Sequence, residues 1–192
     1  MSDSDLQSRL SAIEDIRDKV SEICKSATIA QYNWRPSPEK WSIAECIEHL
    51  IVTGNLYNEE LKNTLEKARE EGKTGDASID YGWFSKFAVS TAEPPPKQRI
   101  RAFRKILPES KTYDPDKLKS DFDQMLDTYK DLVKNMEGIQ ISKVKMPSVL
   151  TPILRLPVAA WVDFLNAHLR RHLWQAEQVR NKEQFPEAGS GQ

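Results

Sequence analysis

The chain contains three histidines, His49, His168 and His172. Two of them stand four residues apart in the segment NAHLRRHLWQ. On a helix that spacing puts both imidazoles on one face, one turn apart, where they can share a metal ion. Three histidines scattered at random over a chain of this length give a four-residue spacing about 3% of the time, so this segment is the first place to look for chemistry. Trp161, Phe164, Leu165, Gln175 and Val179 fall on the same side of the helix, so both rings point inward with its apolar stripe. His49 flanks a second stripe made by Cys46, Leu50 and Thr53. Two inward-facing helices can therefore bring three ring nitrogens together. Three neutral imidazoles suit Zn²⁺, Ni²⁺ or Fe²⁺ and leave at least one coordination position open, the arrangement of catalytic rather than closed structural zinc. Water in such a position has its pKa lowered to about 7, and a thiol there loses its proton. Half-buried histidines also commonly do no more than hydrogen-bond, and spacing alone leaves both readings open.

Other metal chemistries fit less well. There is no HExxH segment. A di-iron carboxylate bundle needs Glu-x-x-His on two helices, but the residues three before His168 and His172 are Leu165 and Leu169, and Glu45 stands four before His49. Gln175, three residues after His172, can orient that ring or line a pocket. Arg171 reads equally as a pocket residue and as a solvated one. Glu45 can reach a ligand imidazole one turn on, although a helix cap already accounts for it. Cys46 can be a fourth ligand or a nucleophile, but a small buried residue is the simpler role. No general base stands out.

The elements that position these residues read as helices. The first runs from about Asp5 to Ile29, with Leu6, Leu10, Ile13, Ile16, Val20 and Ile23 at helical spacing. Pro36 and Pro38 then break the chain. A second helix starts at the N-cap Ser42, with Glu45 completing a capping box, and runs to about Glu71, where Gly72 and Gly75 stop it. Residues 73–113 look irregular, with Tyr81, Trp83, Phe84 and Phe87 suggesting that part of the stretch packs. Asp114-Pro115 opens a third helix that Gly138 ends, and a fourth spans about Pro157 to Asn181. No segment reads as a strand. The expected architecture is all-α, a four-helix bundle with a long crossover between helices 2 and 3. It forms one domain over residues 1–182, with a flexible tail over 183–192.

Composition narrows the function classes. The chain has 192 residues, 39% of them hydrophobic and 30% charged, enough for one core and too polar for a bilayer. The formal net charge of −1 gives no global attraction to nucleic acid or anionic lipid. The basic piece from Lys97 to Lys105 therefore reads as a solvated loop, or as an attractor for the carboxylates of a thiol cofactor. Two cysteines exclude a disulfide framework, and the polar N-terminus does not read as a leader, so a cytoplasmic location is expected. No Gly-rich phosphate loop is present. The expected partner is a small molecule rather than nucleic acid or a membrane, and a homodimer is a reasonable assembly for a helical domain of this size.

The segment Trp34-Arg35-Pro36 through Lys40-Trp41-Ser42-Ile43-Ala44-Glu45 to Glu48-His49-Leu50 resembles the opening of the DinB-like (DinB/YfiT) family. His168-Leu169-Arg170-Arg171-His172-Leu173-Trp174-Gln175 resembles its closing H-x-x-R-H-x-x-Q pattern, and Ala102-Phe103-Arg104 with Leu107-Pro108 resembles its middle loop more weakly. The resemblance covers about residues 5 to 182. It implies a four-helix bundle holding one divalent metal on His49, His168 and His172. Members of the family include transferases and isomerases that use low-molecular-weight thiols such as bacillithiol, mycothiol or glutathione. The resemblance thus points to a thiol S-transferase or hydrolase, with a non-catalytic metal-binding bundle as the alternative.

Overall fold

The computed structural model describes residues 3–25, 27–75, 80–96, 103–109 and 111–187. The first helix, α1 (Asp3–Lys25), buries Ile13, Ile16, Val20 and Ile23 along one face. It stops four residues short of the expected end, and a separate short helix, α2 (Ile29–Asn33), follows. The break has a local cause. Thr28 Oγ1 accepts from the Gln31 amide (3.3 Å) while Gln31 Oε1 accepts from the Thr28 amide (2.9 Å), a reciprocal cap that starts a new helix. Tyr32 is then fully buried, its hydroxyl 3.4 Å from Cys24 Sγ.

Helix α3 (Ile43–Glu70) begins on a second reciprocal cap. Ser42 Oγ accepts from the Glu45 amide (3.1 Å), and Glu45 Oε2 accepts from the Ser42 amide (2.9 Å). Arg35 Nε also donates to Glu45 Oε2 (2.7 Å), and Arg35 Nη2 to Oε1, tying the preceding connection to the helix start. Replacing Ser42 by alanine is expected to cost about 1 kcal/mol, the usual worth of such a cap; urea unfolding measures it, and an unchanged midpoint would refute the assignment. The helix ends where Gly72 turns into the left-handed region at φ +65°, a conformation that residues with a Cβ rarely adopt.

The stretch expected to be irregular contains an eleven-residue helix, α4 (Gly82–Ala92), and a single 3₁₀ turn at Arg104–Ile106. Helix α4 lies against the last helix of the chain, α6 (Val158–Arg180). Its buried residues are Ser85 and Ala92, whereas Trp83, Phe84 and Phe87 are 80%, 51% and 62% exposed. Of the aromatics expected to pack there, only Tyr81 does. Its hydroxyl donates to Asp163 Oδ2 (2.9 Å), which also accepts from the buried Arg9 (2.8 Å), so α1, α6 and the start of α4 meet at one carboxylate.

Helix α5 (Pro115–Lys134) starts with Asp114 Oδ1 accepting from the Lys117 amide (2.9 Å). Leu118, Phe122, Met125, Leu126, Tyr129 and Val133 form its buried stripe. A short antiparallel ribbon follows, β1 (Lys145–Pro147) paired with β2 (Arg155–Pro157), which the sequence reading did not anticipate. Helices α1 and α3 each pack on both α5 and α6, and the core fills the space among them. Among the described residues the protein is therefore all-α apart from this ribbon and an isolated bridge between Thr74 and Ile139. At Gly54 α3 approaches α5 closely: a Cβ would lie 2.4 Å from Met125 Sδ, so a side chain there would require the Met125 side chain to shift.

The first residues of the expected tail, 183–187, make contacts with the rest of the chain. Phe185 packs edge-on against Trp34 with ring centroids 5.7 Å apart, and Gln31 Nε2 donates to the Pro186 carbonyl (2.6 Å). Residues 188–192 of that tail lie outside the described residues. Among the described residues no helix is long and apolar enough to cross a membrane.

Candidate metal centre

The reciprocal cap at Ser42 sets the phase of α3 so that His49, two turns in, faces α6 and is 2% exposed. His168 and His172 project from adjacent turns of α6 and are half-buried. The three rings meet. Centroids are 4.4 Å apart for His49 and His172, 4.6 Å for His168 and His172, and 5.3 Å for His49 and His168. One nitrogen from each ring lies within 4.8 Å of the others.

The proton positions follow from the partners. His49 Nδ1 is 2.7 Å from the carbonyl oxygen of Ile106 in the 3₁₀ turn. A carbonyl only accepts, so Nδ1 carries the proton and Nε2 keeps its lone pair. His172 Nδ1 is 3.1 Å from Gln175 Oε1, which sets the same tautomer. Metal-binding histidines are held in this way, by a hydrogen bond from the far nitrogen to an oxygen acceptor.

Trp41 covers one side of the cluster, its ring centroid 4.9 Å from His49 and 5.8 Å from His172. Phe164 stacks on His168 at 6.2 Å with planes 16° apart. These walls strip water from the rings and hold them neutral. Burial pushes the pKa of His49 down against the pull of the Ile106 hydrogen bond. Burial, with help from His49 and Arg171, pushes His168 down to about 3. His172 is well below its ordinary value for the same main reason, with His168, His49 and Arg171 adding to it. Three uncharged imidazoles, with one ring nitrogen of each within 4.8 Å of the others, are the donor set that a nitrogen-preferring divalent cation requires. The residues present therefore fit such an ion.

The other candidates fall in different places. Gln175 orients His172 directly. Arg171 is half-buried, its Nη1 donating to the Thr91 carbonyl at the end of α4 (3.0 Å). Glu45 is buried, and its carboxylate is engaged by the Ser42 amide and by Arg35, with no hydrogen bond or ion pair to a histidine among the described residues. Cys46 is fully buried, and burial raises its thiol pKa, which suits a packing residue. Of the basic piece 97–105, residues 97–102 lie outside the described residues, and Arg104 and Lys105 are exposed. Sequence reasoning missed the roles of Trp41 and Phe164 as ring walls and of the Ile106 carbonyl. The available signals were the proximity of Trp41 to the Ser42 cap and the position of Phe164 four residues before His168 on the same helix face.

A family profile described as the DinB superfamily matches residues 12–176, most of the chain and all three histidines. The chain belongs to the DinB superfamily. No curated protein and no solved structure matches it.

The depressed histidines give this DinB-superfamily protein an acid sensitivity of definite sign. The unfolded chain takes up protons at its histidines near the ordinary value of 6.5, whereas folded His168 resists protonation until about 3. Between those values the unfolded state binds more protons, so the stability these groups contribute is present above about pH 6.5 and is lost as the pH falls. Metal-free protein is expected to unfold at lower urea at pH 5 than at pH 7, and His168→Gln is expected to shrink that difference. An equal pH dependence in the two proteins would count against the buried neutral imidazole.

Proposed function

We propose that this chain is a divalent-metal-dependent enzyme acting on a small molecule, of the thiol S-transferase or hydrolase type, with His49, His168 and His172 as the metal ligands. The observation that carries the reading is the facing of three neutral imidazoles whose two fixed tautomers leave Nε2 free. Helices α1, α3, α5 and α6 serve as a four-helix bundle, and residues 1–182 as one domain around it. Zn²⁺, Ni²⁺ and Fe²⁺ all suit the donor set, and with three protein ligands a coordination position is left for a reactant. When bound, the cation supplies a Lewis acid that lowers the pKa of a thiol or a water.

The chain's own groups do the positioning. Ile106 and Gln175 keep the His49 and His172 tautomers that present lone pairs. Trp41 and Phe164 exclude water from two sides. Arg171, anchored on Thr91, places a positive charge beside the histidines that favours an anionic reactant. In the transferase reaction the thiol S–H bond breaks, sulfur bonds to the electrophilic carbon, the leaving group departs with its electron pair, and the proton goes to solvent.

Elemental analysis of protein purified without a histidine tag, followed by a screen of low-molecular-weight thiols against small electrophiles with mass-spectrometric detection, tests this. About one divalent ion per chain and thiol-dependent product are expected. Bound metal without turnover toward thiols or water would assign the site to stability or protein contacts instead, and absence of metal uptake would overturn the reading. A cytoplasmic location and a homodimer accompany the proposal; size-exclusion chromatography with light scattering checks the latter.

A further inference from the structure

Glu45 is 3% exposed and stands one turn before His49 on the same face of α3, yet its carboxylate is taken up by the chain that precedes the helix. Oε2 accepts from the Ser42 amide (2.9 Å) and from Arg35 Nε (2.7 Å), and Oε1 accepts from Arg35 Nη2. Arg35 Nη1 also donates to the Pro38 carbonyl (3.4 Å), so one guanidinium grips both the connection and the start of α3. The helix cap does not call for this. Ser42 and Glu45 complete their reciprocal pair without a third partner. A pair of charges drawn out of water adds little net stability over apolar packing, and its best attested use is to fix one geometry.

The geometry it fixes lies beside it. The Ser42 amide belongs to the peptide unit that leaves Trp41, so that peptide and the guanidinium share one carboxylate oxygen. Trp41 is half-buried and spans two helices, its ring 4.9 Å from His49 of α3 at 44° and 5.8 Å from His172 of α6 at 31°. We propose that Arg35 is a positioning residue for the histidine cluster: paired with Glu45, it fixes the Trp41–Ser42 peptide and so keeps the indole across His49 and His172. Glu45 then serves the cluster at one remove, through the wall and not through a ring. The planar fork of arginine suits the task, because two parallel bonds set the orientation of the carboxylate as well as its position. The effect on metal affinity rests on the ligand reading above; the ring geometry of the metal-free protein does not.

The experiment compares wild type with Arg35→Met, Arg35→Lys and Trp41→Leu. In metal-free protein the ring protons of His49 and His172 carry ring-current shifts from the indole, and Trp41→Leu gives their positions without it. Proton NMR of Arg35→Met is expected to show both sets moved most of the way to the Trp41→Leu positions, with Arg35→Lys between. His168, whose ring stacks on Phe164, is expected to move least. Asp114→Ala removes a helix cap elsewhere and is expected to lower the urea midpoint without moving these protons, which separates positioning from general loss of stability. Zn²⁺ affinity, read by competition with a chromophoric chelator, is expected to fall about 10-fold in Arg35→Met, the lower end for partners that act behind the ligands. Added to Trp41→Leu, the same substitution is expected to change it by no more than about twofold, since the two residues act through one ring. Unmoved His49 and His172 resonances in folded Arg35→Met, or affinity losses that simply multiply, would overturn the proposal and leave Arg35 a part of the fold alone. If wild type binds no Zn²⁺ the ligand reading fails, and the ring shifts still decide this one. If Arg35→Met does not fold, because Glu45 is left buried without its partner, Arg35→Met/Glu45→Gln removes both charges, keeps a capping side chain and is judged by the same shifts. If that variant fails too, Arg35→Lys decides, with wild-type ring positions as the refuting result.

Discussion

Alanine at position 168 is expected to weaken Zn²⁺ binding by roughly a few hundredfold while leaving the helices folded. Zinc held by four protein ligands is worth about 10–16 kcal/mol, or about 2.5–4 kcal/mol per donor, and each 1.4 kcal/mol is about tenfold in Kd. His168 shares a helix face with His172 and lies opposite His49, so its loss leaves two nitrogens on different helices and no chelating pair along α6. His172→Ala and His49→Ala should fall in the same range, because the cluster has no fourth histidine to substitute. Chelator competition and elemental analysis measure the effect. Full stoichiometry at wild-type affinity in any of the three variants would remove that residue from the ligand set.

Trp161→Ala is expected to cost about 3–5 kcal/mol, the range for emptying a large buried aromatic site. The ring is 2% exposed and lies between Tyr57 of α3, at 5.1 Å and 43°, and Phe164 of α6, at 5.4 Å and 84°. Its Nε1 donates to the Met146 carbonyl in β1 (2.8 Å), so the substitution also leaves a buried acceptor unmet. Against a typical domain stability of about 5–15 kcal/mol, that brings the protein close to unfolding. Trp161→Phe keeps most of the ring and loses only the donor, so it should retain the larger share of the stability. Urea midpoints measure both, and a wild-type midpoint for the alanine variant would contradict the burial.

What could be read from the sequence tracks where side-chain pattern and backbone geometry agree. Ser42 with Glu45 and Asp114 with Pro115 open helices because their side chains meet free amides, and those starts stand within a residue of expectation. The i,i+4 histidines needed only a helix at 158–180 to share a face. The break after Lys25 was masked because Ala27 and Ile29 continue an apolar rhythm across it, although Thr28 and Gln31 carried the cap. Helix α4 was hidden by its inverted face, with small residues inward and Trp83, Phe84 and Phe87 outward. The ribbon 145–147 with 155–157 is too short for a two-residue period to register. The Ile106 carbonyl that fixes His49 is a main-chain group, and no residue type announces it.

That last contact ties the connection between α4 and α5 to the fate of one imidazole. If occupying the histidines immobilises the His49 ring, it also secures the carbonyl on which that ring leans, and the coupling works equally in reverse. Hydrogen exchange at the amides of Ile106 and Leu107 should then slow when cation is added, and loosening this stretch should make the ion easier to strip.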